Sequence, residues 1–203
     1  MPQIPARAGG FQDAPPPPGA PPNTRGAGAR PGLCGDEPIR QKMFALLPPS
    51  NTLRTVSGNP TLYISMPAIQ NKALTFEILD DREDLVYETT FSLENTPTGI
   101  LKIEVPEEVN LKPNTIHQWA ILIRCNLDNP AVDEEIKGLM QRLEVAPPAS
   151  GSPLDRANYY GENGIWQQAF EGFWELRDSH RQAWLEFLKS VKLESYADAT
   201  MIN

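Results

Sequence analysis

Hydrophobic and polar residues alternate with a period of two between about Met43 and Val145. Side chains two residues apart share one face of a strand, so this alternation predicts a β-domain with half-buried strands. About six or seven strands fit, and the polar run 80–84 predicts a hairpin turn between two of them. The positions that carry the alternation are Leu62, Ile64 and Met66; Leu74, Phe76 and Ile78; Leu85, Tyr87, Thr89, Phe91 and Leu93; Leu101, Ile103 and Val105; Trp119, Ile121, Ile123 and Cys125; and Leu139, Leu143 and Val145.

One piece of this region suggests the class of β-domain. The run from Leu111 to Trp119 resembles the entry to the sixth strand of a fibronectin type III domain, where a tyrosine forms the tyrosine corner. His117 stands at the position of that tyrosine. The resemblance implies an antiparallel β-sandwich of the immunoglobulin or fibronectin III kind over residues 41–146.

The hydrophobic period changes to that of a helix after a Pro-, Gly- and Ser-rich linker at 147–154. We expect a helical hairpin over residues 155–194, because Gly161 and Gly164 interrupt its first part. The candidate N-caps are Ser152 or Asp155 for the first helix and Asp178 for the last helix, which is predicted to end at Val191.

The hairpin resembles part of one tetratricopeptide repeat, because Tyr160, Gly164, Ala169 and Phe173 fall at the spacings of that repeat. A single repeat cannot bury its own apolar face, so the hairpin is expected to dock on the β-domain. Docking would bury Trp166, Phe173 and Trp184. If these residues were exposed instead, Trp166, Phe173, Trp174 and Trp184 would be the candidate residues for binding a partner.

The two ends of the chain differ in composition from the rest. Residues 1–40 contain the run Pro15-Pro16-Pro17-Pro18 and several glycines, which predicts a disordered tail. The proline run could also dock in an aromatic groove, but a tether is the favoured interpretation. Residues 195–203 are predicted to be a flexible C-terminus.

Charge and composition exclude some partners. The chain has 203 residues and a formal net charge of -8, so nucleic acids and anionic membranes would repel it. No apolar run approaches the roughly 20 residues of a membrane-spanning helix, and the first residues do not form a signal peptide. A cytoplasmic location therefore remains an alternative to an exported one.

Several short segments in a fixed order resemble one family. They are Arg30-Pro31-Gly32-Leu33-Cys34, Ala45-Leu46-Leu47-Pro48, the Trp119 strand that ends in Cys125, Gly138-Leu139-Met140-Gln141-Arg142-Leu143, Asn163-Gly164-Ile165-Trp166-Gln167-Gln168-Ala169 and Trp184. Together they resemble an uncharacterised cyanobacterial family, domain of unknown function number 928, over residues from about 30 to 193. The resemblance implies a periplasmic or extracellular protein with no assigned activity.

The two cysteines give the most specific chemical hypothesis that the sequence offers. In an exported protein we expect Cys34 and Cys125 to form a disulfide, closing a loop of about 90 residues and stabilising the fold by about 4 kcal/mol. In a cytoplasmic protein they would be two free thiols. Mass spectrometry under non-reducing conditions distinguishes the two states.

No pattern predicts a cofactor, a metal or a catalytic residue. The two histidines, His117 and His180, are far apart in sequence, and the cysteines lack metal-ligand spacing. An acidic loop could offer oxygens to calcium, but Ala131 stands where an EF-hand needs glycine, so a solvated loop is favoured. Its oxygen-bearing residues are Asn126, Asp128, Asn129, Asp133, Glu134 and Glu135. Motifs for nucleophilic serine, phosphate loops and dinucleotides are absent from the sequence.

Two classes of function remain. We favour a non-enzymatic interaction or scaffold protein of the cell envelope that binds a protein or another envelope partner, because no catalytic group is needed for binding. The alternative is a glycan-acting hydrolase with acidic residues at the edge of the sandwich. A concave pocket that holds two carboxylates with opposed protonation tendencies would favour the hydrolase.

Overall fold

The computed structural model describes residues 10–17, 43–124 and 134–202. Within these ranges the chain forms β-strands, three α-helices and one 3-10 helix. The elements in chain order are β1 (Phe44–Ala45), β2 (Thr52–Thr55), β3 (Thr61–Met66), β4 (Ile69–Leu79), β5 (Leu85–Thr96), β6 (Gly99–Glu104), β7 (Ile116–Arg124), β8 (Glu134–Arg142), α1 (Pro153–Glu162), α2 (Trp166–Glu175), α3 (Arg181–Ser190), the 3-10 helix Glu194–Tyr196 and β9 (Met201–Ile202).

The strands form two sheets. A four-stranded sheet has the order β1-β3-β6-β9, and a five-stranded sheet has the order β2-β8-β7-β4-β5. Both are mixed, since β2 is parallel to β8 and β9 is parallel to β6, while the other pairs are antiparallel. The prediction of a mainly β domain is confirmed, but the prediction that it is entirely antiparallel is wrong. The likeness to an immunoglobulin or fibronectin III sandwich stays a prediction.

The predicted alternation explains the core. Trp119, Ile121 and Ile123 on β7 are fully buried, and the residues between them are partly exposed. Both sheets contribute buried side chains to one hydrophobic core, which also includes residues of all three helices. The predicted hairpin between β4 and β5 forms, with the Asp80 carboxylate accepting hydrogen bonds from the backbone N–H groups of Arg82 and Asp84.

The helices begin and end for local reasons. Ser152 caps α1 in a capping box, in which its hydroxyl accepts a hydrogen bond from the Asp155 N–H and its own N–H donates to the Asp155 carboxylate. Gly164 has a φ of +67° between α1 and α2, a conformation that favours glycine. The predicted N-cap at Asp178 is wrong, because α3 begins at Arg181 with His180 as its N-cap.

The helices cover the outer face of the four-stranded sheet. Every residue of β3 is buried, although its sequence alternates, because the outward face lies under helical side chains. The Tyr63 ring lies 4.8 Å from the Phe170 ring, and the Ser65 hydroxyl donates to the Tyr196 hydroxyl at 3.3 Å. Three helices therefore pack on the β-domain in the part of the chain where the sequence predicts a helical hairpin, while the tetratricopeptide likeness stays a prediction.

Both predicted tails contain ordered contacts. Within the segment 1–40, residues 10–17 lie against the helices, and the Phe11 side chain is 8% exposed. At the other end, the predicted flexible segment 195–203 includes β9, whose Met201 pairs with Ile100. The structure departs from the predicted disordered tail at residues 10–17 and from the predicted flexible C-terminus at residues 195–202. Apolar side chains of both segments are buried in the core.

Several predictions concern residues outside the described ranges. Cys34 and Cys125 are among them, and so are Asn126, Asp128, Asn129 and Asp133 of the calcium hypothesis. In the described part of the chain, no group of three or more His, Cys, Asp or Glu residues could hold a metal ion. No described helix combines the length and apolar character needed to cross a membrane.

Candidate functional site

The aromatic residues proposed as a partner face are mostly internal. Trp166, Phe173 and Trp184 are each 1% exposed, as expected for a hairpin that docks on its own β-domain. They contact other rings of the helical layer and have no surface for a partner. Trp174 alone of these four candidates is half-buried, and it lies at the rim of a groove.

That groove, called the polar groove below, has a volume of about 550 Å³ and lies between α2 and the outer face of the four-stranded sheet. Its lining is mainly polar, with hydroxyl, amide, carboxylate and ammonium groups beside one indole and one thioether. The lining residues are Ser57, Asn59, Thr61, Tyr63, Lys102, Glu104, Gln167, Gln168, Glu171, Trp174, Glu175 and Met201.

Strands β3 and β6 form the floor of the polar groove. In the pairing of β3 with β6, Thr61 lies opposite Glu104 and Tyr63 lies opposite Lys102. Alternation sends these four side chains to the outer face, away from Leu62 and Ile103, which enter the core. The sheet therefore presents a row of polar groups to whatever occupies the groove.

One face of α2 forms the wall of the polar groove. Gln167, Gln168, Glu171, Trp174 and Glu175 recur at helical spacing, so they share one face of α2. The opposite face carries the aromatic and small residues that enter the helical layer. One helix thus supplies both the core stripe and the wall of the groove.

A hydrogen-bond network joins wall and floor. Glu171 Oε1 accepts from the Tyr63 hydroxyl at 2.9 Å and from Gln167 Nε2 at 3.0 Å. Gln167 Oε1 is buried and has no hydrogen-bond partner among the described residues. Because both donors converge on a single oxygen, the Glu171 carboxyl has a defined orientation in the groove.

A second set of bonds fixes the end of the groove. Gln168 Oε1 accepts from the Val56 N–H at 3.2 Å, and Gln168 Nε2 donates to Thr55 Oγ1 at 3.2 Å. These bonds link α2 to the end of β2, the edge strand of the five-stranded sheet. The wall of the groove is therefore anchored to both sheets.

Burial perturbs two acidic groups in the network. It raises the pKa of the Glu171 carboxyl, while the hydrogen bonds from Gln167 and Tyr63 and the charge of Lys102 act in the opposite direction. Burial, followed by the neighbouring Glu171 carboxylate, raises the pKa of the Tyr63 hydroxyl. Tyr63 therefore stays a hydrogen-bond donor across the physiological range, and Glu171 holds its proton more tightly than an exposed glutamate does.

This raised pKa gives a stability prediction. The folded chain holds the Glu171 proton more tightly than the unfolded chain, so stability falls as the pH rises from about 4.3 through the folded pKa. Glu171→Gln removes the titration but keeps an acceptor oxygen. We expect the variant to gain stability relative to the wild type as the pH rises from 4 to 7.5, measured by urea unfolding.

Glu175→Gln provides the matched control, because it removes one negative charge from the same helix one turn away. Equal pH profiles for wild type and Glu171→Gln would show that burial does not shift the titration of Glu171. If Glu175→Gln changed the pH dependence of stability more than Glu171→Gln does, the assignment of the raised pKa to Glu171 would be wrong.

The rim of the polar groove is set by Trp174. The Arg177 guanidinium lies 4.4 Å from the centre of its indole and donates to the Trp174 carbonyl at 2.9 Å. Trp174 and Met201 also border a smaller hollow of about 410 Å³ on the other side. Trp174 and Met201 therefore separate the polar groove from the smaller hollow.

The histidines lie elsewhere. His117 is 3% exposed, and its Nδ1 has no hydrogen-bond partner among the described residues. Burial lowers its pKa, against the opposing influence of the Thr115 backbone and nearby Asp80 and Asp81. His180 is exposed, and its Nδ1 lies 3.0 Å from the Ser179 hydroxyl. Neither residue lines the polar groove.

Sequence reasoning missed most of the groove. The polar residues of α2 could have been read as a stripe opposite the aromatic one, but such a stripe is usually solvated. Nothing local indicated that Tyr63 and Lys102 would face it, since this depends on where the helices dock. Trp174 was the one lining residue named as a candidate.

Comparison with known proteins gives a family but no activity. The family model described as Domain of Unknown Function (DUF928) matches residues 25–201. This match confirms the resemblance found in the sequence; it does not specify an organism, so the cyanobacterial source stays a prediction. No match to the chain was found among curated proteins.

Proposed function

Because the chain belongs to the DUF928 family, whose description names no activity, we propose its function from the polar groove. The protein is a non-enzymatic binding protein of the cell envelope, and the groove holds a neutral, hydroxyl-rich ligand of the glycan class. The supporting observation is the oriented Glu171 carboxyl, which Tyr63 and Gln167 hold in a concave site.

The chemistry of the lining suits hydroxyl groups. A sugar hydroxyl both donates and accepts, and carboxylates and amides in the groove match these roles. Residues fixed before binding lose little entropy when a ligand arrives, which favours affinity from a small site. The indole of Trp174 offers apolar surface at the rim for the C–H groups of a sugar ring.

Charge narrows the ligand class. The polar groove contains the carboxyl groups of Glu104, Glu171 and Glu175 but one ammonium group, that of Lys102, which pairs with Glu104. An anionic glycan would meet net repulsion there. Neutral saccharides, or saccharides that carry amino groups, fit better.

Export belongs to the same proposal. It rests on the family resemblance of the sequence, and it predicts that Cys34 and Cys125 form a disulfide, which an oxidising compartment permits. An immunoglobulin-like scaffold beside a tetratricopeptide-like hairpin also suits a binding role, because such folds support many unrelated sites.

Oligosaccharide binding tests the proposal. Cellotetraose and chitotetraose are titrated into the purified full chain by calorimetry. We expect binding of at least one, weakened roughly tenfold or more by Glu171→Gln or Trp174→Ala, since each removes a group that is proposed to contact the saccharide. Glu162→Gln, on an exposed site outside the groove, should leave the affinity unchanged. Absence of binding at millimolar saccharide would overturn the proposal.

The hydrolase alternative keeps one observation in its favour. Glu171 has a raised pKa, as a general acid does, and other carboxyl groups share the groove. The same saccharides are incubated with the protein, and reducing ends are counted. Release that disappears in Glu171→Gln would assign catalysis, whereas binding without release supports the binding protein.

A further inference from the structure

The segment 10–17 lies in a cleft of its own. Phe11 packs edge-on against the stacked rings of Trp166 and Phe187, with ring centroids 5.1 and 6.3 Å away. The Phe11 N–H donates to Ser190 Oγ at 2.8 Å, and the Gln12 N–H donates to the Gly161 carbonyl at 3.0 Å. An aromatic anchor is therefore flanked by backbone hydrogen bonds.

Polar contacts continue along the segment. The Ser50 N–H donates to Asp13 Oδ2 at 2.7 Å. Arg54 donates to the carbonyls of Ala14 and Pro15 at 3.2 and 2.9 Å. The buried guanidinium thus obtains acceptors from the segment, and the nearby Asp13 carboxylate balances its charge.

The cleft is shaped to let a backbone approach. A Cβ built on Gly164 would lie 2.9 Å from the Gln12 carbonyl oxygen, and one built on Gly10 would lie 3.2 Å from Ser190 Cβ. Glycine on each side of the contact allows the close fit. This arrangement resembles how a groove receives an extended peptide, with an anchor pocket and main-chain hydrogen bonds.

Residues 10–17 can leave the cleft without disrupting either sheet. Residues 10–17 belong to no helix and pair with no strand, so neither sheet needs them for its hydrogen bonds. Twenty-five positions, 18–42, separate the segment from Met43. A chain of that length spans up to about 80 Å when extended, so it does not force the segment into the cleft.

We propose that this cleft is a peptide-binding site, which the chain fills with its own residues 10–17. It is distinct from the polar groove and shares no lining residue with it. Its ligand is an extended peptide with a small residue before an aromatic anchor, a carboxylate two positions after the anchor, and free carbonyls from the next two residues. The chain's own segment acts as a tethered competitor for such a peptide.

Because residues 10–17 are covalently linked to the cleft that they fill, the wild type and a variant with an empty cleft should differ in their affinity for an added peptide. A ligand joined covalently to its own site has an effective concentration of up to the order of millimolar, so a peptide added in solution must compete with it. Full-length Phe11→Ala loses the anchor and leaves the cleft accessible. A fluorescent peptide with the sequence of residues 8–18 should bind this variant, and should bind the wild type roughly tenfold more weakly or worse.

Fluorescence anisotropy measures both affinities. The same peptide with alanine at the Phe11 position is the control and should not bind the variant. Equal binding to variant and wild type, or binding of the control peptide, would show that the contact is not specific for the cleft. No binding to Phe11→Ala, with folding verified by circular dichroism, would show that the segment is a fixed part of the fold.

A second measurement covers the case in which Phe11→Ala does not fold. A protease site is placed within 18–42 of the otherwise unchanged full chain and cut after folding. The freed segment should then exchange with the labelled peptide. Failure to exchange over many hours, with the body still folded, would overturn the proposal.

Discussion

Trp166→Ala is expected to lower the free energy of unfolding by about 3–5 kcal/mol, the range for removing a fully buried tryptophan. Trp166 is 1% exposed, and its ring contacts Phe11, Phe170 and Phe187. Alanine would leave a cavity between the helices and the N-terminal segment. The helical layer cannot close that cavity without moving rings that also pack on the sheet, such as Phe170 on Tyr63.

Urea unfolding, followed by circular dichroism, measures the change. The matched control is Trp174→Ala, which makes the same substitution two turns later on α2 at a half-buried site. Its expected cost is smaller, about 1–2 kcal/mol, because solvent already reaches part of the ring. The two variants should also differ in function, since Trp174 lines the polar groove and Trp166 does not.

This pair separates packing from binding. Trp166→Ala should weaken the fold and release residues 10–17, which proteolysis near the N-terminus would detect. Trp174→Ala should weaken saccharide binding with a modest effect on stability. A cost below about 1 kcal/mol for Trp166→Ala would mean that the helical layer is not organised around this residue.

Local patterns predicted the elements well where one face of the element is buried. Alternation placed Trp119, Ile121 and Ile123 on the inner face of β7, and the structure confirms it. The Ser152 cap and the break at Gly164 also follow from local chemistry, because capping and a positive φ depend on residues close in sequence.

Features that depend on distant contacts were not predicted. The parallel pairing of β9 with β6 brings residues about 100 positions apart together, and a two-residue strand has no periodicity of its own. Phe11 in a Pro- and Gly-rich stretch looked like part of a tether. Its burial depends on a pocket formed by Trp166 and Phe187, far away in the sequence.

The polar groove shows the same limit at the level of function. Glu171 lies in a helix whose aromatic stripe dominated the sequence signal, and its partner Tyr63 lies on a strand more than 100 residues earlier. Their contact requires that α2 dock on the outer face of the four-stranded sheet. Amphipathic periodicity indicates that a helix will dock but does not specify which surface will receive it.

Gly138→Ala should also destabilise the fold, by about 2 kcal/mol net. Gly138 lies opposite Trp119 in the pairing of β8 with β7, and the indole lies across it. An added Cβ would lie 2.5 Å from Trp119 Cζ2 and 2.9 Å from the Asn51 carbonyl oxygen. Relief would require movement of a fully buried ring, whose Nε1–H donates to the Leu139 carbonyl, or of the backbone itself.

Two opposing effects decide the sign of this change. Replacing glycine by alanine restricts the unfolded chain and by itself stabilises a protein by about 0.4–1 kcal/mol. Overpacking a dense core costs about 1–3 kcal/mol or more, and here the contacts are with a ring and a carbonyl that cannot both yield. Steric strain should therefore outweigh the entropic gain at Gly138.

Gly161→Ala is the matched control, because the same substitution there meets only ordinary van der Waals contacts. Its Cβ would lie 4.0 Å from both Ala169 Cβ and Phe173 Cε2, which is ordinary contact. Alanine is the better helix former by about 1 kcal/mol, so this variant should be unchanged or slightly more stable. Chemical unfolding of both variants should give opposite signs. Destabilisation of similar size at both sites would contradict the packing of Trp119 against Gly138, because that packing is what distinguishes them.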